Sequence, residues 1–167
     1  SLDSDAYGEA LLRLSANDPD IRRRLSLEIT GTASIADLEG AQKRLARIRK
    51  AGFRVYLDDF GVGASCFDYL NHLTVDGVKI DGGFVMRACE DEKSRTLIRH
   101  LVDMCAGLKL KTVAERVETG QVAELMVGLG VDLGQGWFYG KPEPRPRLEP
   151  PAPPVAARRR GAVESWG

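Results

Sequence analysis

The stretch VYLDDFGVGAS occupies residues 55–65. It begins as a short apolar run, ends on two adjacent carboxylates, Asp58 and Asp59, and continues into a glycine-rich turn. A short apolar run bounded by a turn is typical of a buried strand. Two like charges at the end of a strand repel each other unless a cation lies between them. The stretch therefore predicts a strand with its chemistry at its carboxyl end.

Segments with strand character alternate with helical segments on both sides of this stretch. One helix is predicted over residues 5–16, and another runs from Ser34 as the N-cap to Gly52 as the C-terminal stop. The five predicted strands are RLSLEIT, FRVYLDDF, VDGVKID, KTVAERV and DLGQGWF. This alternation indicates βαβ units with right-handed crossovers, and therefore an α/β fold with a parallel sheet.

The composition excludes several classes of protein. The 24 basic and 24 acidic residues balance, so no direct DNA or RNA binding is expected. The three cysteines show no CxxC spacing, which argues against a disulfide framework and against a thiolate zinc site. No apolar run reaches the roughly 18 residues of a membrane-spanning helix. We expect a cytoplasmic location, either alone or as the cytoplasmic part of a larger, membrane-anchored protein.

Polar side chains lie at or near the carboxyl end of each predicted strand. In a parallel sheet these ends share one edge, where ligands bind. Carboxylate and amide oxygens without histidine or thiolate partners suit Mg²⁺ or Mn²⁺, and adjacent aspartates can serve two ions. A lysine there can orient water or stabilise a phosphoryl oxygen. The residues are Glu28, Asp58, Asp59, Lys79, Asp81, Glu115 and Gln135.

Each feature also has a structural interpretation. An Asp-Asp pair before glycine is common in turns, and Glu118 can cap the next helix. The rings of Trp137, Phe138 and Tyr139 fit strand-end packing, with one ring facing the site as the alternative. The metal hypothesis therefore depends on the coincidence of several strand ends.

Five motifs in order carry a family resemblance: LSLEIT, LDDFGVGASCFDYL, VDGVKIDGGFV, TVAERVET and GVDLGQGWFYGKPEP. Together they resemble the C-terminal part of the EAL domain family of cyclic di-GMP phosphodiesterases. We expect this domain to occupy residues 1–144 and a disordered tail rich in proline and arginine to occupy residues 145–167. The resemblance implies a (β/α)₈ TIM-like barrel that uses two metal ions to hydrolyse cyclic di-GMP to pGpG in bacterial second-messenger signalling.

The resemblance also implies a role for each matching residue. Metal ligation falls to Glu28, Asp58, Asp59 and Glu115, with Asp58 bridging the two ions. Lys79 is implied to hold or activate the attacking water. The substrate-binding positions are Gln135 and Asp81, and Glu118 anchors the loop after DDFG. The implied partners are cyclic di-GMP, a second copy of the intact domain in a homodimer, and further domains upstream.

Several positions depart from the family pattern. The Glu-Ala-Leu strand is absent, because GEALLRL at residues 8–14 lies on a predicted helix, so Glu9 is not a ligand. The metal-binding asparagine of the family belongs to a strand before Ser1. Gly31, Ala64 and Arg116 replace a glutamate, a tyrosine and a glycine. The fragment alone is therefore expected to be inactive. The alternative is a degenerate module that binds cyclic di-GMP or a protein without cleaving it.

The matching region is short for a barrel of about 250 residues and supplies about five of its eight βα units. An open partial barrel is expected to leave inner apolar side chains, such as Leu27, Leu57 and Ile80, unprotected. We therefore predict that the segment by itself is poorly stable or oligomeric.

Overall fold

The computed structural model describes residues 5–16, 19–30, 35, 37–61 and 66–142. The predicted tail, the proposed cap Ser34, and two of the divergent positions, Gly31 and Ala64, lie outside the described residues. The elements in chain order are α1 Asp5–Leu14, α2 Pro19–Arg24, β1 Ser26–Thr30, α3 Leu38–Lys50, β2 Arg54–Phe60, α4 Cys66–His72, β3 Gly77–Ile80, α5 Gly82–Glu90, α6 Glu92–Gly107, β4 Lys111–Ala114, α7 Gly120–Gly128 and β5 Leu133–Gly134.

The strands form one parallel sheet whose spatial order is the chain order, β1-β2-β3-β4-β5. Sequential order with helical crossovers is the arrangement of a TIM barrel, whereas a doubly wound sheet reverses direction at a switch point. The predicted α/β fold and the partial barrel of five βα units are thus confirmed.

The apolar core lies between the sheet and its helices. Leu57 and Ile80 are fully buried in this core, and Leu27 packs against it. The prediction that these side chains line the inner face of the barrel is wrong. Successive strand residues point to opposite faces, so Asp58 and Lys79, which form an ion pair, point away from the core that contains Leu57 and Ile80. Their neighbours Leu57 and Ile80 therefore point outward, toward the helices.

Helix boundaries follow local capping. Helix α3 begins after Asp37, whose Oδ1 accepts a hydrogen bond from the Gly40 amide at 2.8 Å. The predicted start at Ser34 is therefore wrong by several residues, because the aspartate nearer the helix fills the capping role. The predicted stop is confirmed, since Gly52 follows the helix with a φ of 101°, a conformation that favours glycine.

Two aspartates brace the amino-terminal edge of the sheet. Asp76 precedes β3 and accepts hydrogen bonds from the Val55 amide at 2.9 Å and from two guanidinium nitrogens of Arg49. Asp132 precedes β5 and accepts a hydrogen bond from the Thr112 amide at 3.0 Å. Each aspartate thus ties a loop to the neighbouring strand, at the edge opposite the polar strand ends.

Among the described residues, no helix combines the length and the apolar character required to cross a bilayer.

Candidate metal centre

Lys79 on β3 lies at the centre of the polar strand ends. Its Nζ is 2.6 Å from Glu115 Oε1, 3.0 Å from Asp58 Oδ1 and 3.0 Å from Glu28 Oε1. These carboxylates belong to β1, β2 and the residue that directly follows β4. The register of the parallel sheet thus brings together four residues that are up to 87 positions apart, from 28 to 115. Their predicted convergence is found in the structure.

The charges in this cluster do not balance. Burial alone would lower the pKa of Lys79, but its contacts with Glu115, Asp58 and Glu28 outweigh burial and raise that pKa above its ordinary value. Burial raises the pKa of Glu115, and the opposing effect of Lys79 does not cancel this increase. Lys79 is therefore an ammonium at neutral pH. One ammonium faces three carboxylates, which leaves the cluster attractive to a further cation.

A second carboxylate group overlaps the first. Asp58, Asp59 and Glu115 each offer one oxygen, and these oxygens lie within 4.8 Å of one another. In a regular strand, adjacent residues such as Asp58 and Asp59 face opposite sides. Here the register of β2 with β3 shifts between Leu57 and Phe60, and Asp59 has a φ of 54°. This irregularity allows both carboxylates to reach one site.

One buried oxygen of this group is open to a ligand. Asp58 Oδ1 lies 3.0 Å from Lys79 Nζ, yet it accepts no hydrogen bond among the described residues. The two observations are compatible, because an ion pair requires proximity whereas a hydrogen bond also requires direction. A buried carboxylate oxygen with a free lone pair, within a set of oxygen donors, fits a hard divalent cation. The residues present therefore fit the implied metal.

Comparisons with known proteins agree with this geometry. Residues 1–142 match a family model described as EAL domain. The chain belongs to the EAL domain family. Cyclic di-GMP phosphodiesterase PdeB of Shewanella oneidensis is 37% identical over 117 residues, which are 70% of this chain and 14% of that protein. Probable cyclic di-GMP phosphodiesterase PdeB of Escherichia coli is 40% identical over 123 residues, which are 74% of this chain and 23% of that protein.

A solved structure, described as the PaMucR phosphodiesterase in a c-di-GMP complex, has a TM-score of 0.75 and 28% identity to this chain. The match covers 86% of this chain and 58% of that one. This EAL chain thus spans less than a quarter of the length of both curated relatives.

Asp81, a predicted substrate-binding residue of the EAL domain, has a structural contact. It follows β3 directly and is the N-cap of α5, where its Oδ1 accepts a hydrogen bond from the Phe84 amide at 3.1 Å. This contact uses one of its two carboxylate oxygens. Binding of substrate by Asp81 stays a prediction.

Gln135 and Glu118 lie on the rim of the EAL sheet. The Gln135 amide donates to the Ala114 carbonyl at 2.8 Å, which places Gln135 beside the end of β4. The structural alternative for Glu118, capping of the next helix, is wrong, because Thr119 caps α7 through the Val122 amide. The loop that Glu118 is predicted to anchor includes residues 62–65, which lie outside the described residues.

A cavity of about 410 Å³ adjoins the carboxylates. Sequence reasoning did not assign Arg116 or Lys141 to a site, and it favoured packing for Trp137. The Trp137 ring is 60% exposed, and the Lys141 ammonium lies 5.1 Å from its centroid. The backbone of Arg116 adopts a φ of 53°. The amino-acid sequence does not predict this conformation at a residue other than glycine. The cavity is lined by Glu115, Arg116, Glu118, Gln135, Gly136, Trp137, Gly140, Lys141 and Pro142.

Proposed function

We propose that this chain is the C-terminal part of an EAL module that binds two Mg²⁺ or Mn²⁺ ions and hydrolyses cyclic di-GMP to pGpG in bacterial second-messenger signalling. The observation that carries the proposal is the position of Lys79, whose ammonium contacts carboxylates from three other strand ends. The family membership and the c-di-GMP complex of the PaMucR phosphodiesterase support the choice of substrate.

Four carboxylates would hold the metal, namely those of Glu28, Asp58, Asp59 and Glu115. When bound, divalent ions supply Lewis acidity and lower the pKa of a bound water. Asp58 would be the ligand shared by the two ions, since it contacts Lys79 and also belongs to the group of carboxylates whose oxygens lie within 4.8 Å of one another. This arrangement also explains why adjacent Asp58 and Asp59 share one site.

Lys79 would act as a hydrogen-bond donor and a positive charge, not as a base. The surrounding carboxylates raise its pKa, so it keeps its proton near neutral pH. An ammonium in this position can orient the attacking water and stabilise charge that develops on the phosphoryl oxygens. Removing its charge should therefore affect turnover more than binding of the dinucleotide.

The substrate would lie along the rim, next to the carboxylates. Gln135 lines the adjoining cavity of about 410 Å³, and Asp81 follows the strand that carries Lys79. We propose that both contact cyclic di-GMP, and that Glu118 anchors the loop after the DDFG motif. The cavity places polar and aromatic groups together, as small-molecule sites do.

The organisation of the whole protein belongs to the same proposal. Residues 1–144 would form the C-terminal part of the domain and residues 145–167 a disordered tail. The intact domain would dimerise, would be preceded by further domains, and would function in the cytoplasm. The chain by itself would be inactive, since the Glu-Ala-Leu strand and the metal-binding asparagine of the family are absent from its sequence.

The test uses protein expressed from its complete gene. It is incubated with cyclic di-GMP and Mn²⁺ or Mg²⁺, and the nucleotides are separated by chromatography. We expect pGpG from the wild-type protein and a rate at least about 100-fold lower from Lys79→Gln, because a positioned electrostatic donor is lost. The matched control is Arg99→Gln, at an exposed position on α6, and it should keep the wild-type rate.

Two other outcomes would contradict the proposal. Tight binding of cyclic di-GMP without any pGpG would favour the alternative, a receptor that does not cleave its ligand. Absence of both binding and turnover, in protein whose circular dichroism spectrum is that of a folded α/β domain, would reject cyclic di-GMP as the ligand.

A further inference from the structure

Arg116 combines an unfavourable backbone conformation with a position on the rim cavity. Its φ of 53° lies in the left-handed region, where residues with a Cβ are uncommon. Asp59, a proposed metal ligand, is another residue in this region, with a φ of 54°. Strained backbone at functional sites persists when it positions a side chain that the site requires. The conformation of Arg116 therefore raises the question of what its side chain does.

The aliphatic part of Arg116 has a packing partner in Gly82, the first residue of α5. A Cβ built on Gly82 would overlap with Cδ and Cγ of Arg116, so the arginine stem occupies the space over this glycine. Any uncharged chain of similar length would fill that space equally well. The packing accounts for the stem of Arg116 and leaves its charge without a role.

The guanidinium has no ion-pair partner among the described residues, although two carboxylates, Glu115 and Glu118, line the same cavity. Arg116 is also exposed at this rim. Trp137 and Lys141 line the same cavity, so a second cation and an exposed ring lie nearby. An unpaired guanidinium beside a cation and an aromatic ring suits an anionic, base-bearing ligand, because guanidinium groups bind phosphate oxygens in a bidentate manner.

We propose that Arg116 binds a phosphate oxygen of cyclic di-GMP at the rim, outside the carboxylate cluster, and so contributes to substrate affinity. The assignment rests on the proposed function, since it takes the same dinucleotide as the ligand. Arg116 in this role is a substrate-binding residue supplied by the loop after β4. The arginine stem lies across Gly82, and Arg116 lines the cavity.

The experiment measures binding of cyclic di-GMP by isothermal titration calorimetry in EDTA, so that hydrolysis does not intervene. Arg116→Gln removes the charge but keeps a stem that covers Gly82, and Arg116→Lys keeps the charge without the planar fork. We expect Arg116→Gln to weaken binding about tenfold, as for loss of a charged hydrogen bond, and Arg116→Lys to weaken it less. Arg99→Gln, the exposed control on α6, should bind as the wild type does.

Salt and stability separate this assignment from a structural role. The difference in affinity for cyclic di-GMP between the wild type and Arg116→Gln should become smaller at about 1 M salt, because screening weakens exposed charge contacts. The melting temperatures of the two proteins should agree. Equal affinities of wild type and Arg116→Gln would overturn the assignment while leaving the proposed function intact. A loss of affinity that is matched by a loss of stability, and not rescued by lysine, would also overturn it. A wild-type protein that binds no cyclic di-GMP, with or without metal, would contradict the proposed function itself.

Discussion

At the scale of single residues, the conformation of Asp59 determines what the acidic pair can do. Its φ of 54° and the register shift in β2 place two adjacent carboxylates at one site. Alternation in a regular strand would separate them. A Cβ in the left-handed region is unfavourable by roughly 1–2 kcal/mol, so the rest of the fold has to stabilise this arrangement. A bound cation would add to that stabilisation, since it would offset the repulsion between the two charges.

The opposite edge of the sheet contains Asp76, a carboxylate that connects a loop to the neighbouring strand. Burial alone would raise the pKa of Asp76, but hydrogen bonds from Arg49 and the Val55 amide outweigh burial and hold that pKa below its ordinary value. A carboxyl whose pKa is lower in the folded state stabilises the fold above its unfolded pKa of about 3.9. That contribution is lost as the pH falls through the folded-state pKa.

Asp76→Asn should therefore reduce the free energy of unfolding by about 1.5 kcal/mol at about pH 7, a value that allows for partial solvent screening. The difference from the wild type should shrink as the pH falls from about 3.9 through the lower folded-state pKa, because the wild-type carboxylate then also becomes protonated. Urea unfolding at about pH 7 and at a pH below about 3.9 measures this. The matched control is Asp103→Asn, at an exposed position on α6. The same difference at both pH values would mean that the lost interaction is not electrostatic.

Individual residues show how far the sequence predicts this site. Strand ends alone predict that Glu28, Asp58, Lys79 and Glu115 meet, because a parallel sheet leaves no other place for them. The same reasoning cannot predict the cap made by Asp81, since a residue that ends a strand and starts a helix has two possible tasks. It also cannot predict a left-handed φ at a non-glycine residue, which depends on tertiary contacts.

At the scale of elements, several helices begin with a side chain that accepts a hydrogen bond from the first turn. The capping residues of α3, α5, α6 and α7 are Asp37, Asp81, Asp91 and Thr119. Such caps satisfy backbone amides that have no partner within the helix. They matter most for α5, which follows the strand of Lys79 and starts with two glycines, Gly82 and Gly83.

Asp81→Ala should destabilise the protein by about 1 kcal/mol, and Asp81→Ser should stay within a few tenths of the wild type, because serine can also cap a helix. Urea unfolding measures both variants. The serine variant also tests the proposed contact of Asp81 with the substrate. If Asp81 makes that contact, Asp81→Ser should bind cyclic di-GMP more weakly than the wild type while its stability is unchanged. If Asp81→Ala is as stable as the wild type, the cap does not contribute to the free energy of unfolding.

Two helices are absent from the sequence-based prediction, and the reasons are local. Helix α2 begins at Pro19, within an Asn-Asp-Pro sequence that is typical of a turn, although proline is also favoured in the first helical turn. Helix α5 begins with a pair of glycines, which are poor helix formers. Burial of Val85 and Ala88 against the core overrides that low propensity. The last strand is shorter than predicted, with only Leu133 and Gly134 paired.

At the scale of the whole molecule, the two faces of the sheet differ in chemistry. The outward face and its helices form the apolar core, whereas Glu28, Arg54 and Lys111 are exposed residues of the strands. The argument that inner apolar side chains would drive association is therefore incorrect for Leu57 and Ile80. Association through the edges of β1 and β5 stays a prediction, since each pairs with a single neighbour among the described residues.

The order of motifs predicts the global fold better than it predicts local detail. Five strand-helix units in sequence are compatible with both a barrel and an open sheet, and the resemblance to the EAL domain selects the barrel order. Physical reasoning from the sequence alone cannot make that choice, because the spatial order of strands depends on how the helices pack.

The most direct test of the account is whether the carboxylate cluster binds a divalent ion. Binding of Mn²⁺ by protein expressed from the complete gene can be followed by electron paramagnetic resonance, for the wild type, Asp58→Asn and the exposed control Asp103→Asn. We expect Asp58→Asn to bind Mn²⁺ at least about tenfold more weakly than the wild type, because it loses the charge of the central ligand. Asp103→Asn should match the wild type. Equal Mn²⁺ affinity in the wild type and Asp58→Asn would contradict the metal centre proposed for this edge of the sheet.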